Sequence, residues 1–319
     1  MFEGELREIM KTRCLTEKEI LALEKNGCTA ESWGKVKVSD PFDASKIRSV
    51  HFAGEIEIGA MTNTTVECDD GIKRLCGIYN ARLHNVIVGD GCSISEVKGW
   101  LSNLKIGSNV VIENVGTISC DKKTSFGNGH EIAVFNEGGG RELKITDKTS
   151  AQIAYLTVMY RDNKQLIGKL NEIAELYSSR KKSDRGTIGE GVSIRNCGDI
   201  RNVCICPYAK IEGVLSLKEG TIDSCKEGAT IIGNGVIAED FVIQKGAHVK
   251  DGAMVMASLI GEGSRVGKQF SCENTAMFAN CEGFHSEACS WFAGPYSVTH
   301  HRSTLLIAAY TSFYNAGSG

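Results

Sequence analysis

The stretch IIGNGVIAEDFVIQKGAHVKDGAMV, residues 231–255, places an aliphatic side chain every six residues, at Ile231, Ile237, Ile243, Val249 and Val255. A helix repeats its buried face about every 3.6 residues and a strand about every two, so a sustained period of six belongs to neither. It fits a solenoid, in which a short strand and a turn repeat and each coil buries its aliphatics by stacking on the next. The same phase recurs outward from this stretch, at Val88 and Ile94, at Ile106, Ile112 and Ile118, and at Ile188, Ile194 and Ile200. It continues at Ile205, Ile211 and Leu217 and again at Ile260 and Val266. Glycine follows the aliphatic at Gly89, Gly107, Gly189, Gly261 and Gly267, read here as corners that need positive φ. Four residues after the aliphatic stands something small, such as Cys92, Val110, Val192, Cys204, Ala247, Ala253 or Ser264. Alternating large and small side chains fill a narrow interior without overlap.

The period organises the chain. Residues 1–44 read as an N-terminal cap, with a helix through 1–27 that has capping-box spacing at Thr16 and Glu19 and a stop at Asn26–Gly27. Such a cap covers the apolar end and open strand edge of a first coil. Residues 45–120 form a first solenoid block, and residues 121–186 break the period. This break begins as a polar, Gly-rich loop. It then carries Ile153, Leu156, Tyr160, Ile167, Leu170, Ile173 and Tyr177 at helical spacing, with Thr149 or Ser150 as N-cap; Asn163 and Gly168 argue against one unbroken helix. A second block fills 187–319, less regular after Ser271. The expectation at the C-terminus is a truncated solenoid, because no amphipathic cap follows Asn315.

Composition narrows the function classes. Basic and acidic side chains number 36 and 39, a net charge of -3, with no basic stripe to match a nucleic acid. No apolar run reaches the roughly 20 residues that span a bilayer, and MFEGELREIM lacks the features of a signal peptide, so a cytoplasmic location is expected. The 13 cysteines read as plain thiols: Cys92 and Cys204 take the small interior position, and Cys204-Ile205-Cys206 lacks zinc-knuckle spacing. Asn63-Thr64-Thr65 matches a glycosylation sequon by pattern alone.

Aliphatic, glycine, two free positions, a small residue and one more free position resembles the hexapeptide repeat of the left-handed parallel β-helix transferases, among them lipid A, serine and sugar-nucleotide acyltransferases. The likeness covers roughly residues 45–120 and 186–275. It implies a mainly β, left-handed parallel β-helix of triangular coils, three hexads to a coil, and a homotrimer with its sites in grooves between subunits. The run Asn136-Glu137-Gly138-Gly139-Gly140-Arg141, the helical insertion and the late segments AGPYSVTHHRSTLLIA and FYNAGSG are similar to a family of larger hexapeptide-repeat proteins with a domain of unknown function.

The resemblance also implies chemistry. In those transferases a histidine takes the proton of an acceptor hydroxyl or amine, which attacks a thioester such as acyl-CoA, while backbone N–H groups hold the oxyanion. Gly246-Ala247-His248-Val249 matches the run in which a second, basic histidine follows three residues later, but Asp251 stands there, so His248 is left as a surface or substrate-rim residue. His285, His300 and His301 lie where the hexad fails and are the candidates for the base, with Arg302 beside them for an anionic substrate. His130, Glu137 and Arg141 belong to the glycine-rich loop, where a triple-glycine nest and a guanidinium could grip a phosphate. The loop is neither a P-loop nor a dinucleotide fingerprint. The histidine spacing does not match the three-histidine zinc site of the γ-type carbonic anhydrases, and no metal is expected. The expected activity is transfer of an acyl group to a nucleotide-linked or phosphorylated sugar. The alternatives are a non-catalytic solenoid scaffold and a domain associated with a sugar nucleotidyltransferase.

Overall fold

A computed structural model describes residues 11–62, 65–67 and 71–316; Asn63 and Thr64 of the sequon, and the first ten residues of the expected N-terminal helix, lie outside them. The chain is mainly β, and one sheet holds 28 strands. Its repeat is a parallel pairing of each strand with the strand one coil later. Ile188 pairs with Ile205, Ile243 with Ile260 and Ile260 with Met277, a step of 17 residues. The step is 16 residues between Met277 and Ala293, and 21 between Ile222 and Ile243, where Ser224–Gly228 bulges out.

Three full hexads would give 18, which is the step from Val88 to Ile106 and from Ile94 to Ile112 in the first block, so in the second block one side of the coil is a residue short. The short side is the strand that bends: in Ile237–Ile243 the backbone turns at Asp240, φ +54°, and the inward positions are Ala238 and Ile243, five apart. This corrects the sequence phase. Ile232 and Ala238 point inward and are buried, while Ile231 and Ile237 are only half buried. The left-handed bend recurs down the solenoid at Asn85, Asn103, Asn202, Glu219, Asp240, Ala257 and Asn274. Asparagine suits it because it tolerates positive φ and its side chain can bond along the column. Asn85 Nδ2 donates to Asn103 Oδ1 at 3.1 Å, and Asn202 Nδ2 to Glu219 Oε1 at 2.8 Å.

The glycines after the aliphatics are also corrected. None of Gly89, Gly107, Gly189, Gly261 and Gly267 has positive φ. They stand where coils approach closely: a Cβ on Gly89 would lie 2.6 Å from the carbonyl carbon of Gly107, and one on Gly189 2.4 Å from Pro207 N. Positive φ falls two residues later at Gly91, Gly191 and Gly263.

The first coil starts before residue 45. Thr29–Ala30 and Val36–Ser39 already pair in parallel with Ile47–Ile58. Helix α1 (Glu17–Lys25) is shorter than expected and is preceded by a strand, Thr12–Cys14, antiparallel to Val36–Ser39. The strand covers the open edge, and α1 places Leu23, 1 % exposed, over the first coil. The capping box is formed: Glu19 N–H donates to Thr16 Oγ1 at 3.4 Å, and the Glu19 carboxylate accepts from Thr16 N at 2.8 Å. Arg13 bridges Glu19 and Asp40, each at 2.8 Å, and its hydrogen bond is the main reason the Glu19 carboxyl is held down at about 2.

The insertion replaces one residue. Ser119 pairs with Ser102 and Gly186 with Leu104, so residues 120–185 leave the coil where its predecessor has Asn103 alone. The loop is not wholly irregular, since Glu131–Ile132 and Leu143–Lys144 form an antiparallel pair. Two helices follow, α2 (Ala151–Met159), capped by Ser150, and α3 (Lys164–Lys181), capped by Asn163. Helix α2 turns Ala154, Thr157 and Val158 inward, leaving Ile153 and Tyr160 exposed, which differs from the apolar face drawn from spacing. The insertion folds back over later coils. Ile132, Val134, Leu143, Ile145 and Val158 pack with Val242, Leu259, Ala276 and Phe292 into a second core on the outer face of the solenoid.

Candidate functional site

Outward side chains one coil apart stack in columns, roughly 4.8 Å from coil to coil. One column reads Ile231, His248, Arg265, Glu282 and Val298. Five of the eight residues singled out from sequence gather on this side. His248 is in the column, and burial is the first cause lowering its pKa, followed by the cations Arg265 and Lys250. His300 shares the outward side of its strand with Val298 and reaches back one coil, its Nε2 against the Glu282 carboxylate. Its ring also lies over Phe284, centroids 5.5 Å apart. A carboxylate only accepts, so Nε2 carries the hydrogen and Nδ1 the free electron pair. His285, at φ +56°, and the exposed His301–Arg302 occupy the same corner of successive coils, between the pairings Gly283 with Thr299 and Glu287 with Thr304.

The other three residues sit elsewhere, on the insertion. His130 Nδ1 faces Asp240 Oδ1 at 3.6 Å. Glu137 accepts the Cys289 thiol at 3.0 Å; burial first, then this carboxylate, pushes the thiol up to about 11. Arg141 donates to the Val158 carbonyl at 2.8 Å and lies over the Phe135 ring, so it ties the end of α2 to the loop. The expected anion nest is filled from within. Gly138 N–H donates to Asn136 Oδ1, Gly139 N–H to Asn136 O and Gly140 N–H to Glu142. Cys204 is likewise not interior: it is outward, half buried and paired in register with Thr221.

Glu282 opens onto a groove that sequence spacing could not show. Three depressions of about 700, 450 and 360 Å³ share Pro295. The first is bounded by Asn280, Glu282, Tyr296 and Phe313, the second by Tyr155, Leu156 and Phe292 along α2. The third lies at the start of α2, between Lys148, Gln152, Asp223, Lys245 and Glu262. Beside that end, Asp147 is buried, with its carboxylate accepting from the Tyr177 hydroxyl and from Lys181 Nζ at 3.2 Å. Burial works to lower the Lys181 pKa, but the charge of Asp147 together with the contacts to Tyr177 outweighs it and the net shift is upward. This ion pair fixes α3 to the loop. Burial likewise raises the Asp223 carboxyl.

Among the described residues no group of three histidine, cysteine or acidic side chains is placed to hold a metal ion, and no helix is long and apolar enough to cross a membrane. Residues 12–319 match the model of a family described as a domain of unknown function, DUF4954, and the chain belongs to that family. It is also similar to an uncharacterized protein of Treponema pallidum (strain Nichols), 29% identical over 248 residues, which are 74% of this chain and 34% of the relative. The chain thus spans about a third of the length of that relative.

Proposed function

We propose that the groove beside Glu282 is the site of a group transfer, of an acyl group from acyl-CoA to a hydroxyl or amine of a nucleotide-linked or phosphorylated sugar. The observation that carries this reading is the contact of His300 with Glu282, which lines the groove: a basic nitrogen oriented by a carboxylate on the preceding coil. His300 Nδ1 takes the acceptor's proton as its oxygen or nitrogen bonds to the thioester carbon. The C–S bond then breaks and the proton passes to the leaving thiolate. Glu282 holds the ring and favours the imidazolium, as the acid member of a catalytic triad does. Lys148 and Lys245, at the far end of the groove, are paired with Asp223 and Glu262 and would turn from them to meet the phosphate of the acceptor. The likeness to left-handed hexapeptide transferases supports the same chemistry, and with it a homotrimer.

Calorimetric titration with acetyl-CoA, and separately with UDP-N-acetylglucosamine, tests the reading. Saturable binding of both is expected. No heat with either ligand would replace transfer by the scaffold reading, in which the coils serve as a docking surface.

A further inference from the structure

A second cleft, of about 380 Å³, opens at the other end of the solenoid between Thr29, His51, Asn80, Arg82, Glu96 and Lys98. The coil repeat builds it: His51 pairs in register with Arg82, and Glu96 and Lys98 follow from the next coil. Elsewhere along the coils a cation commonly meets an acid of the next coil, as in Arg195–Glu212, Lys218–Glu239 and Lys245–Glu262. Arg82 and Lys98 are exposed, and neither forms an ion pair among the described residues. The one carboxylate of the cleft, Glu96, is engaged by Asn80 Nδ2 at 2.6 Å.

The third basic group is fixed in place. His51 Nδ1 bonds Thr29 Oγ1 at 2.8 Å, so Nε2 is its remaining polar atom. Its ring meets Trp100 edge to face, with centroids 5.7 Å apart. Trp100 is backed by His84 at 6.5 Å, and His84 is held by Ser102 at 3.0 Å and Asn85 at 3.3 Å. Asn85 Oδ1 accepts from Glu55 N–H at 3.0 Å, which aims Nδ2 at His84 and sets its Nε2 as acceptor. A layered aromatic and hydrogen-bonded support therefore stands behind one imidazole, in a cleft with two cations that have no ion-pair partner among the described residues.

We propose that this cleft binds a phosphomonoester. Arg82 offers a bidentate fork to two phosphate oxygens, Lys98 a point charge, and His51 Nε2 a third contact. This site is independent of the transfer reading, because it lies on other coils and its test measures binding alone. Titration with inorganic phosphate and with glucose 6-phosphate, followed by phosphorus NMR at low salt, should show saturable binding of at least one. Tighter binding of the sugar ester would assign the cleft to a phosphorylated sugar, and equal binding to the phosphate group itself.

The paired variant Arg82→Gln with Lys98→Gln should weaken binding by about tenfold or more, given the usual strength of hydrogen bonds to a charged group. Both positions are exposed, so the fold should survive the change. Lys218→Gln, in a paired column elsewhere, should leave binding unchanged. Absence of saturable binding to either ligand overturns the proposal, as does equal binding by the paired variant, or an equal loss in Lys218→Gln.

Discussion

Val242 and Ile243 are neighbours in sequence and both fully buried, yet they belong to different cores. Ile243 points into the solenoid, where every coil supplies the next with its wall. Val242 points out, on the side where a regular solenoid meets water. It is buried only because the insertion, a hundred residues earlier in the chain, folds back over that face. The first kind of burial is made by repetition, and the second by one tertiary contact. The two should respond differently to the same insult.

Ile243→Asp should have the largest effect. An unpaired carboxylate among stacked aliphatics costs several kcal/mol and disturbs the coils on both sides. Loss of the cooperative melt, or aggregation, is expected in thermal denaturation. Val242→Asp should instead release the insertion and spare the coils. Limited proteolysis would then cut within 121–182 while a fragment of the later coils persists. Identical behaviour of the two variants would erase the distinction between the cores.

A smaller effect is expected for Asp147→Ala, which leaves Lys181 without its buried partner and Tyr177 without its acceptor. With the Lys181 side chain 39% exposed, losing these hydrogen bonds to a charged group costs about 2 kcal/mol, read as faster hydrogen exchange through α3 with the coils unchanged. The smallest concerns the cap. The Glu19 carboxyl is held at about 2, below its ordinary value near 4.5, chiefly by Arg13. A depressed carboxyl contributes its stability above the ordinary value and loses it as pH falls through the folded one, here between about 4.5 and 2. The contribution is about 1 kcal/mol or less after solvent screening. Glu19→Gln should remove that part of the acid dependence, and melting curves taken across this range in wild type and variant check it.

The repeat was legible because each coil obeys a local rule that the next one repeats. Reading it as six throughout misplaced Ile231 and Ile237 by one residue, because the bend at Asp240 removes a residue that a strict hexad would count. The helical stretch could be found from Ser150 and the apolar spacing, and its break at Asn163 suspected, but Gly168 lies within α3 and the buried faces could not be read. Whether Ile153 or Ala154 turns inward depends on Val242, Leu259 and Phe292, whose outward positions look like surface in a solenoid pattern. The histidine corner was found because the pattern fails there. Glu282 was missed, since its meeting with His300 depends on coil-to-coil register and a side chain reaching back. Glu137 and Arg141 drew attention by composition, yet the loop uses them to secure itself to Cys289 and α2.

The proposed transfer depends most heavily on His300. Turnover of acetyl-CoA in the presence of UDP-N-acetylglucosamine, measured by release of free thiol, compares wild type with His300→Gln. His300 and Glu282 meet at the surface, so the folded state should be kept, and circular dichroism verifies it. The predicted result is a rate lower by about a hundredfold or more in the variant, the usual contribution of a general base. Thiol release at the wild-type rate by a correctly folded His300→Gln protein would contradict a general-base role for His300.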